Sequence, residues 1–321
     1  MNAVLIIDKP AGFTSHDVVN RARRILRERS VGHLGTLDPM ATGVLPLVIG
    51  NLTRLAQFYT SSEKTYEGTI RFGFATDTYD ADGDATTPAQ EIILSREVVE
   101  AAAARFRGVI AQIPPAFSAK KIAGVPAYKL ARRQKEVVLQ PVQVEIKEFE
   151  ILSVESDRVT FRARVASGTY MRSVAHEMGQ ALTCGAHLES LRRTAVAEFT
   201  LEDAHTLEEV TTYCHPDRSD SFPKETDRGV EEPWVSPVAS REDIFVHPRK
   251  LLPTLPSVTA DAPTVALIRS GRTVNLPDVS RARQIKVFSD QRTLIAIATR
   301  IAGTLFHPKI VFSAPDSAAG T

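Results

Sequence analysis

The sequence holds only two cysteines and one tryptophan in 321 residues, and no apolar run approaches the ~18 residues that a membrane-spanning helix needs. Cys184 and Cys214 are too few for a disulfide framework and have no C-x-x-C spacing, so a reducing compartment is expected and metal binding by them is not. The N-terminus lacks the basic, apolar-cored pattern of a secretory signal, which makes the expected location cytoplasmic. The chain has no Walker A motif, no G-x-S-x-G and no zinc-ligand spacing, and these gaps remove the commonest competing enzyme classes. It also has almost no net charge: 39 Lys and Arg against 38 Asp and Glu leave +1, which taken alone argues against a nucleic-acid partner.

That near-zero total hides a segregation along the chain. Arg105, Arg107, Lys120, Lys121, Lys129, Arg132, Arg133 and Lys135 fall in one stretch with no acid among them. A strip of this kind can neutralise phosphates; its plain alternative is a solvated surface loop. The balancing acids lie elsewhere, notably Asp77, Asp80, Asp82 and Asp84, and the segment from Asp217 to Asp243.

At ~150 residues per domain the length suggests two domains, or one large domain with an appendage. Val4 to Ile7 reads as a strand, followed by a turn and a helix capped by Thr14 or Ser15. In that helix Val18, Val19, Ala22, Ile25 and Leu26 form the apolar stripe, and Arg21, Arg23, Arg24 and Arg27 fall largely outside it. Residues 64–73 alternate with Tyr66, Ile70 and Phe72 on one face, and Val159, Phe161, Ala163 and Val165 mark a second alternating strand. Helices are expected over 95–107 and from about Tyr170 to Cys184. Strands and helices without a regular βαβ repeat predict an α+β domain on a mixed or mostly antiparallel sheet. The stretch 215–247 is polar and proline-bearing and reads as a linker or insertion. Beyond it, four short runs (Val265 to Ile268, Gln284 to Phe288, Leu294 to Thr299, Ile310 to Phe312) predict strands of a small β-barrel.

The densest chemistry is in Gly32-His33-Leu34-Gly35-Thr36-Leu37-Asp38-Pro39-Met40-Ala41-Thr42-Gly43, a loop with a closely specified backbone and a single acid. Asp38 alone would read as a turn or capping residue. The loop as a whole resembles the signature of TruB-type pseudouridine synthases. Four further segments resemble the family in the same order: residues 5–15; Lys64-Thr65-Tyr66 leading to 76–83; residues 112–121; and Ser167-Gly168-Thr169-Tyr170-Met171-Arg172-Ser173, with 185–188 and Leu191-Arg192-Arg193-Thr194 behind it. Five ordered motifs over roughly residues 3–200 make a specific match.

The resemblance implies isomerisation of uridine 55 in the T arm of tRNA, without metal or organic cofactor. Asp38 would be the catalytic carboxylate, Arg172 its pairing guanidinium and Tyr66 the tyrosine stacked on uracil. For RNA binding it implies that His33 inserts into the loop in place of the flipped nucleotides, that Tyr170 lies near the target and that Asp80 joins the polar network. It further implies that the basic segment around 105–135, with Lys120, Lys121, Arg132 and Arg133, grips RNA. Without the motif Tyr66 reads as a core aromatic, His33 as structural and the Asp77–Asp84 run as a solvated turn. The expected division is a pseudouridine synthase catalytic domain over 1–214, a linker over 215–247, a PUA-like RNA-binding barrel over 248–313 and a tail over 314–321. Acting as a monomer with no guide RNA or obligatory protein partner is also expected. The alternatives are a synthase for another RNA uridine and an RNA-binding or tRNA-folding protein.

Overall fold

A computed structural model describes residues 1–118, 120–122, 125–126, 139–215, 244–277 and 281–312. Lys129, Arg132, Arg133, the side chain of Lys121, nearly all of the expected linker and the expected tail lie outside that description.

Seventeen strands are described: β1 (Ala3–Lys9), β2 (Val31–His33), β3 (Thr42–Ile49), β4 (Lys64–Phe72), β5 (Gly108–Gln112), β6 (Lys121–Ile122), β7 (Val125–Pro126), β8 (Val142–Glu155), β9 (Arg158–Val165), β10 (Ala186–Val196), β11 (Phe199–Thr200), β12 (Ala204–His205), β13 (Ser257–Thr259), β14 (Val274–Asn275), β15 (Gln284–Phe288), β16 (Leu294–Ala302) and β17 (Leu305–Val311). The α-helices are α1 (Ser15–Leu26), α2 (Ala56–Tyr59), α3 (Arg96–Ala104), α4 (Met171–Ala181), α5 (Leu207–Cys214) and α6 (Ala262–Arg269). The main sheet runs β12-β1-β3-β10-β4-β9-β8-β5, with β2 on β3 and β11 on β10. Its β1–β12 and β3–β10 pairs are parallel and the others antiparallel, so the sheet is mixed as expected.

Register decides which side of this sheet is which. Lys9 pairs with Gly43, Gly43 with Arg193, Arg193 with Tyr66 and Tyr66 with Ala163. Directly opposed residues point to one face, so this row shares a side of the sheet. On that side Ile7, Leu45 and Leu47 pack against Val18, Val19 and Ala22 of α1 and Leu207 and Val210 of α5. Further along, Ile70, Phe72 and Phe161 pack against Val99 and Ala103 of α3 and Val174 and Met178 of α4. Alternation in β1 and β3 sends Val4, Ile6, Val44 and Val48 to the other side, where they meet Phe288, Ile297, Ile310 and Phe312. The C-terminal unit is thereby fixed to the back of the main sheet. The rest of that back face is a lattice of exposed ion pairs, such as Arg162–Glu67 at 2.8 Å and Arg164–Glu63 at 3.0 Å. Such pairs contribute ~0–1 kcal/mol each; their main consequence is a polar face.

The C-terminal sheet, β13-β15-β16-β17-β14, curls into a half-barrel. One expected strand there is a helix: Val265 to Ile268 belongs to α6. Asp261 caps it by accepting from the Thr264 N–H at 3.0 Å, Pro263 suits the first turn, and Val265 and Ile268 bury one helical face. The helix expected over 95–107 ends at Ala104 and tightens into a turn through Arg107.

At Gly43 the backbone of β3 runs directly against that of β10. Its φ is 101°, and a Cβ there would stand 2.2 Å from the Arg193 carbonyl oxygen. Gly12 has a similar φ of 81° but open space around it. Gly12→Ala should therefore cost about 1–2 kcal/mol of backbone strain alone. Gly43→Ala should cost at least about 3 kcal/mol, because backbone must also move. Urea unfolding of the two variants checks this, and equal midpoints would contradict it.

Candidate active site

The loop between β2 and β3 carries Asp38, and two buried cations hold its backbone. Arg193, 1% exposed, donates through Nη2 to the Gly35 carbonyl at 3.0 Å, through Nη1 to Thr36 at 3.2 Å and through Nε to Val44 at 2.8 Å. Lys9, fully buried, donates through Nζ to the carbonyls of Phe13 at 2.7 Å, Pro10 at 2.8 Å and Pro39 at 3.1 Å. The buried Ser15 hydroxyl accepts from the Leu37 N–H at 2.8 Å, and the Gly12 N–H donates to Pro39 at 2.9 Å. Neither cation has a carboxylate within ion-pair distance among the described residues; backbone carbonyls satisfy both. Burial lowers the Lys9 ammonium to about 8, opposed by the nearby Asp38 charge.

Asp38 meets Arg172, the second residue of α4. Nη2 donates to Oδ1 at 3.0 Å and Nε stands 2.9 Å from Oδ2, so the guanidinium spans both carboxylate oxygens. Arg172 is 3% exposed, and both of its terminal nitrogens donate hydrogen bonds. Its Nη1 donates to the Thr78 carbonyl at 3.1 Å and lies 3.4 Å from Asp80 Oδ2, and its Nη2 also donates to the Phe117 carbonyl at 2.9 Å. The Asp38 side chain keeps 34% of its surface open, so a substrate can reach it. Burial raises the Asp38 carboxyl above its ordinary value, the Arg172 charge pulls it back, and the Asp80 charge adds to the rise. The carboxyl is therefore more basic than that of a free aspartate, and Arg172 is the neighbour that most favours its charged form.

The fold therefore brings Asp38, Arg172 and Asp80 into one contact network. Tyr170 precedes α4, and Gln112 clamps it with both ends of its side-chain amide, accepting from the Tyr170 N–H at 2.8 Å and donating to its carbonyl at 3.1 Å. Burial raises the Tyr170 phenol, and the Asp38 charge raises it further, so the ring lies within electrostatic reach of the acid. Tyr66 is 9% exposed and shares an apolar cluster with Leu37 and Ala41 of the loop. His33, at the end of β2, is held neutral chiefly by burial, and its Nδ1 is buried with no hydrogen-bond partner among the described residues. Lys120 is half-buried; Lys121, Arg132 and Arg133 carry no described side chain. No group of three or more His, Cys, Asp or Glu among the described residues is placed to hold a metal.

Sequence reasoning gave no role to Lys9, Arg193, Gln112, Tyr79 or His176. For the two cations a signal existed: Lys9 continues the inward phase of Leu5 and Ile7, and Arg193 follows the buried Leu191 two residues on. A cation in the inward phase of a strand must find partners, and here the partners are the loop. Tyr79 and His176 lie far apart in the chain, and only the fold stacks them.

Residues 23–171 match the TruB family pseudouridylate synthase N-terminal domain, and residues 172–228 match the tRNA pseudouridylate synthase B C-terminal domain. A tRNA pseudouridine synthase B of Solibacter usitatus is 46% identical over 314 residues, covering 97% of this chain and all of the relative. The chain belongs to the TruB family. A Burkholderia lata relative with the same name is 36% identical over 98% of this chain and 91% of its own length. Among solved structures, a Cbf5–Nop10–Gar1 complex matches with a TM-score of 0.64 at 26% identity, over 94% of this chain and 79% of that one. An H/ACA RNP bound to a substrate RNA containing 2'-deoxyuridine matches at 0.67 and 24% identity, over 98% and 86%, and supports the TruB-family fold.

The buried Lys9 gives a pH test. Its ammonium is at about 8 when folded against an ordinary 10.5, so between those values the unfolded chain binds more protons and stability rises with pH. Wild type should gain stability between pH 8 and pH 10 relative to Lys9→Met. The variant should be less stable at pH 8 by about 2–4 kcal/mol, because loop carbonyls lose their donor. Parallel urea curves for the two proteins across that pH range would contradict the assignment.

Proposed function

We propose that this chain is a tRNA pseudouridine synthase that isomerises uridine 55 of the T arm, with Asp38 as the catalytic carboxylate. The observation that carries the reading is the Asp38–Arg172 pair, an accessible acid held across both oxygens by a buried guanidinium, in a chain 46% identical to a named tRNA pseudouridine synthase B.

The chemistry follows from these groups. The ionised Asp38 attacks ribose C1′ or assists departure of uracil as the N1–C1′ bond breaks; uracil turns and rejoins through C5. The proton lost from C5 is balanced by one gained at N1, and Tyr66, packed beside Leu37 and Ala41 of the loop, stacks on uracil and assists that transfer in this reading. The balance needs no oxidant and no reductant. Arg172 keeps Asp38 charged until the acid is used, and a planar fork does this better than a point charge. The target must be flipped out of the folded T loop at a cost of a few kcal/mol, and the neutral His33 ring is suited to fill the gap by stacking. Asp80 and Tyr170 complete the pocket.

For RNA binding, Arg21, Arg24, Arg27 and Arg29 are exposed on and just after α1, which lies on the active-site side of the sheet. The strip containing Lys120, Lys121, Arg132 and Arg133 adds charge for the phosphates, and the C-terminal half-barrel is read as PUA-like. Among the described residues no helix is long and apolar enough to cross a membrane. A cytoplasmic monomer acting without guide RNA or an obligatory protein partner completes the reading.

Tritium release from an unmodified tRNA transcript labelled at C5 of uridine tests this reading, and release should vanish when uridine 55 is replaced. Release that persists would assign another uridine; none from the parent transcript would leave an RNA-binding role. Arg172→Lys should lower the single-turnover rate by at least about 100-fold, as expected when a contact made in the transition state is lost. A rate near that of the parent would reject the pairing.

A further inference from the structure

Tyr79 occupies the left-handed region at φ 65°, a conformation rare for a bulky residue and costly unless its surroundings hold it. The consequence of that turn lies on either side of it. The preceding residue, Thr78, presents its carbonyl to Arg172 Nη1 at 3.1 Å, and the following residue, Asp80, brings its carboxylate to 3.4 Å from the same nitrogen. Asp80 is itself oriented by the Thr78 hydroxyl at 2.5 Å and the Asp82 N–H at 3.2 Å. One unusual backbone angle thus sets the side of Arg172 that faces away from Asp38.

The Tyr79 ring stacks on His176 with centroids 3.7 Å apart and planes 11° from parallel. His176 stands four residues after Arg172 on α4, so the two project from the same helix face. Both rings border an open cavity of about 660 Å³ lined also by Arg105, Ile113, Glu177 and Gln180. With space beyond it, the ring pair takes the place of core packing for this segment. His176 Nδ1 is buried without a hydrogen-bond partner among the described residues and its Nε2 stands 3.0 Å from Gln180 Nε2, so what the imidazole turns to Tyr79 is its ring face.

We propose that the Tyr79–His176 stack is a clamp that positions Arg172 against Asp38, which makes both aromatic residues positioning residues of the reaction. The clamp ties the Thr78–Asp80 segment to the helix carrying Arg172, so the guanidinium, its carbonyl acceptor and its second carboxylate move as one body. This rests on the assignment of Asp38 and Arg172 above.

Four variants separate the ring contact from the backbone angle. Tyr79→Phe and His176→Phe keep a stacked pair and should retain single-turnover rates within about threefold of the parent. Tyr79→Gly adopts the positive φ freely but has no ring; His176→Ala leaves residues 76–82 untouched but removes the partner. Each of the latter two should slow the single-turnover step at least tenfold, with tRNA affinity within about threefold. Their double variant should be no slower than the worse single, because both remove one contact. Asp38 faces Arg172, Asp80, Lys9 and Tyr170; loss of the clamp slackens both Arg172 and Asp80, and the pull of Arg172 on the Asp38 charge is the larger of the two. The acid limb of the pH–rate profile should therefore move to higher pH in the ring-less variants and stay in place in the two phenylalanine variants. Tyr79→Gly or His176→Ala with the parent's rate and acid limb overturns the clamp, as does a defect confined to tRNA affinity. A parent enzyme that releases no tritium would instead overturn the catalytic assignment.

Discussion

The loop carrying Asp38 depends on two buried cations that pair with carbonyls. A Lys or Arg deprived of water usually takes a carboxylate, because the cost of leaving the charge uncompensated is large. Here Lys9 and Arg193 distribute that need over six backbone oxygens, four of them between Gly35 and Val44. The loop is fixed without using its single acid as a structural counter-ion. Asp38 is left for Arg172, at the opening of the pocket, in a field made positive by two cations that hold no acid of their own.

The geometry of the sheet makes this possible. Lys9, Gly43, Arg193 and Tyr66 lie in one row across β1, β3, β10 and β4, and Gly43, which has no side chain to intrude, lets β3 and β10 approach closely beside the loop. The helices α1 and α4 flank the loop on that face. Ser15 at the start of α1 holds Leu37, and Arg172 near the start of α4 meets Asp38. The opposite face is shared between the C-terminal half-barrel and exposed ion pairs.

Much of this was legible in the residues. Alternation in 64–72 and 158–165 placed the central strands, Thr14 capped α1, and the order of five motifs pointed to the family and to Asp38 and Arg172. What failed did so for identifiable reasons. Val265 to Ile268 is an apolar run too short for its period to separate strand from helix, and the deciding features were the Asp261 cap and Pro263. The roles of Lys9 and Arg193 were visible only as cations in an inward phase, a signal that says partners are needed without saying which. The Tyr79–His176 stack joins residues 97 positions apart through a backbone angle that no local pattern specifies.

The central claim is that this scaffold exists to present one ionised carboxylate, and a single substitution tests it most directly. Asp38→Asn keeps the shape of the side chain and the Asp38–Pro39 turn position but removes the charge and the nucleophilic oxygen. Single-turnover isomerisation of a tRNA transcript at saturating enzyme should become undetectable, because no other acid lies in the loop. tRNA affinity should stay within about tenfold of the parent, or ~1.4 kcal/mol, since phosphate contacts and loop shape carry it. Measurable conversion by folded Asp38→Asn would contradict the account, and loss of binding together with turnover would make Asp38 a residue that shapes the loop.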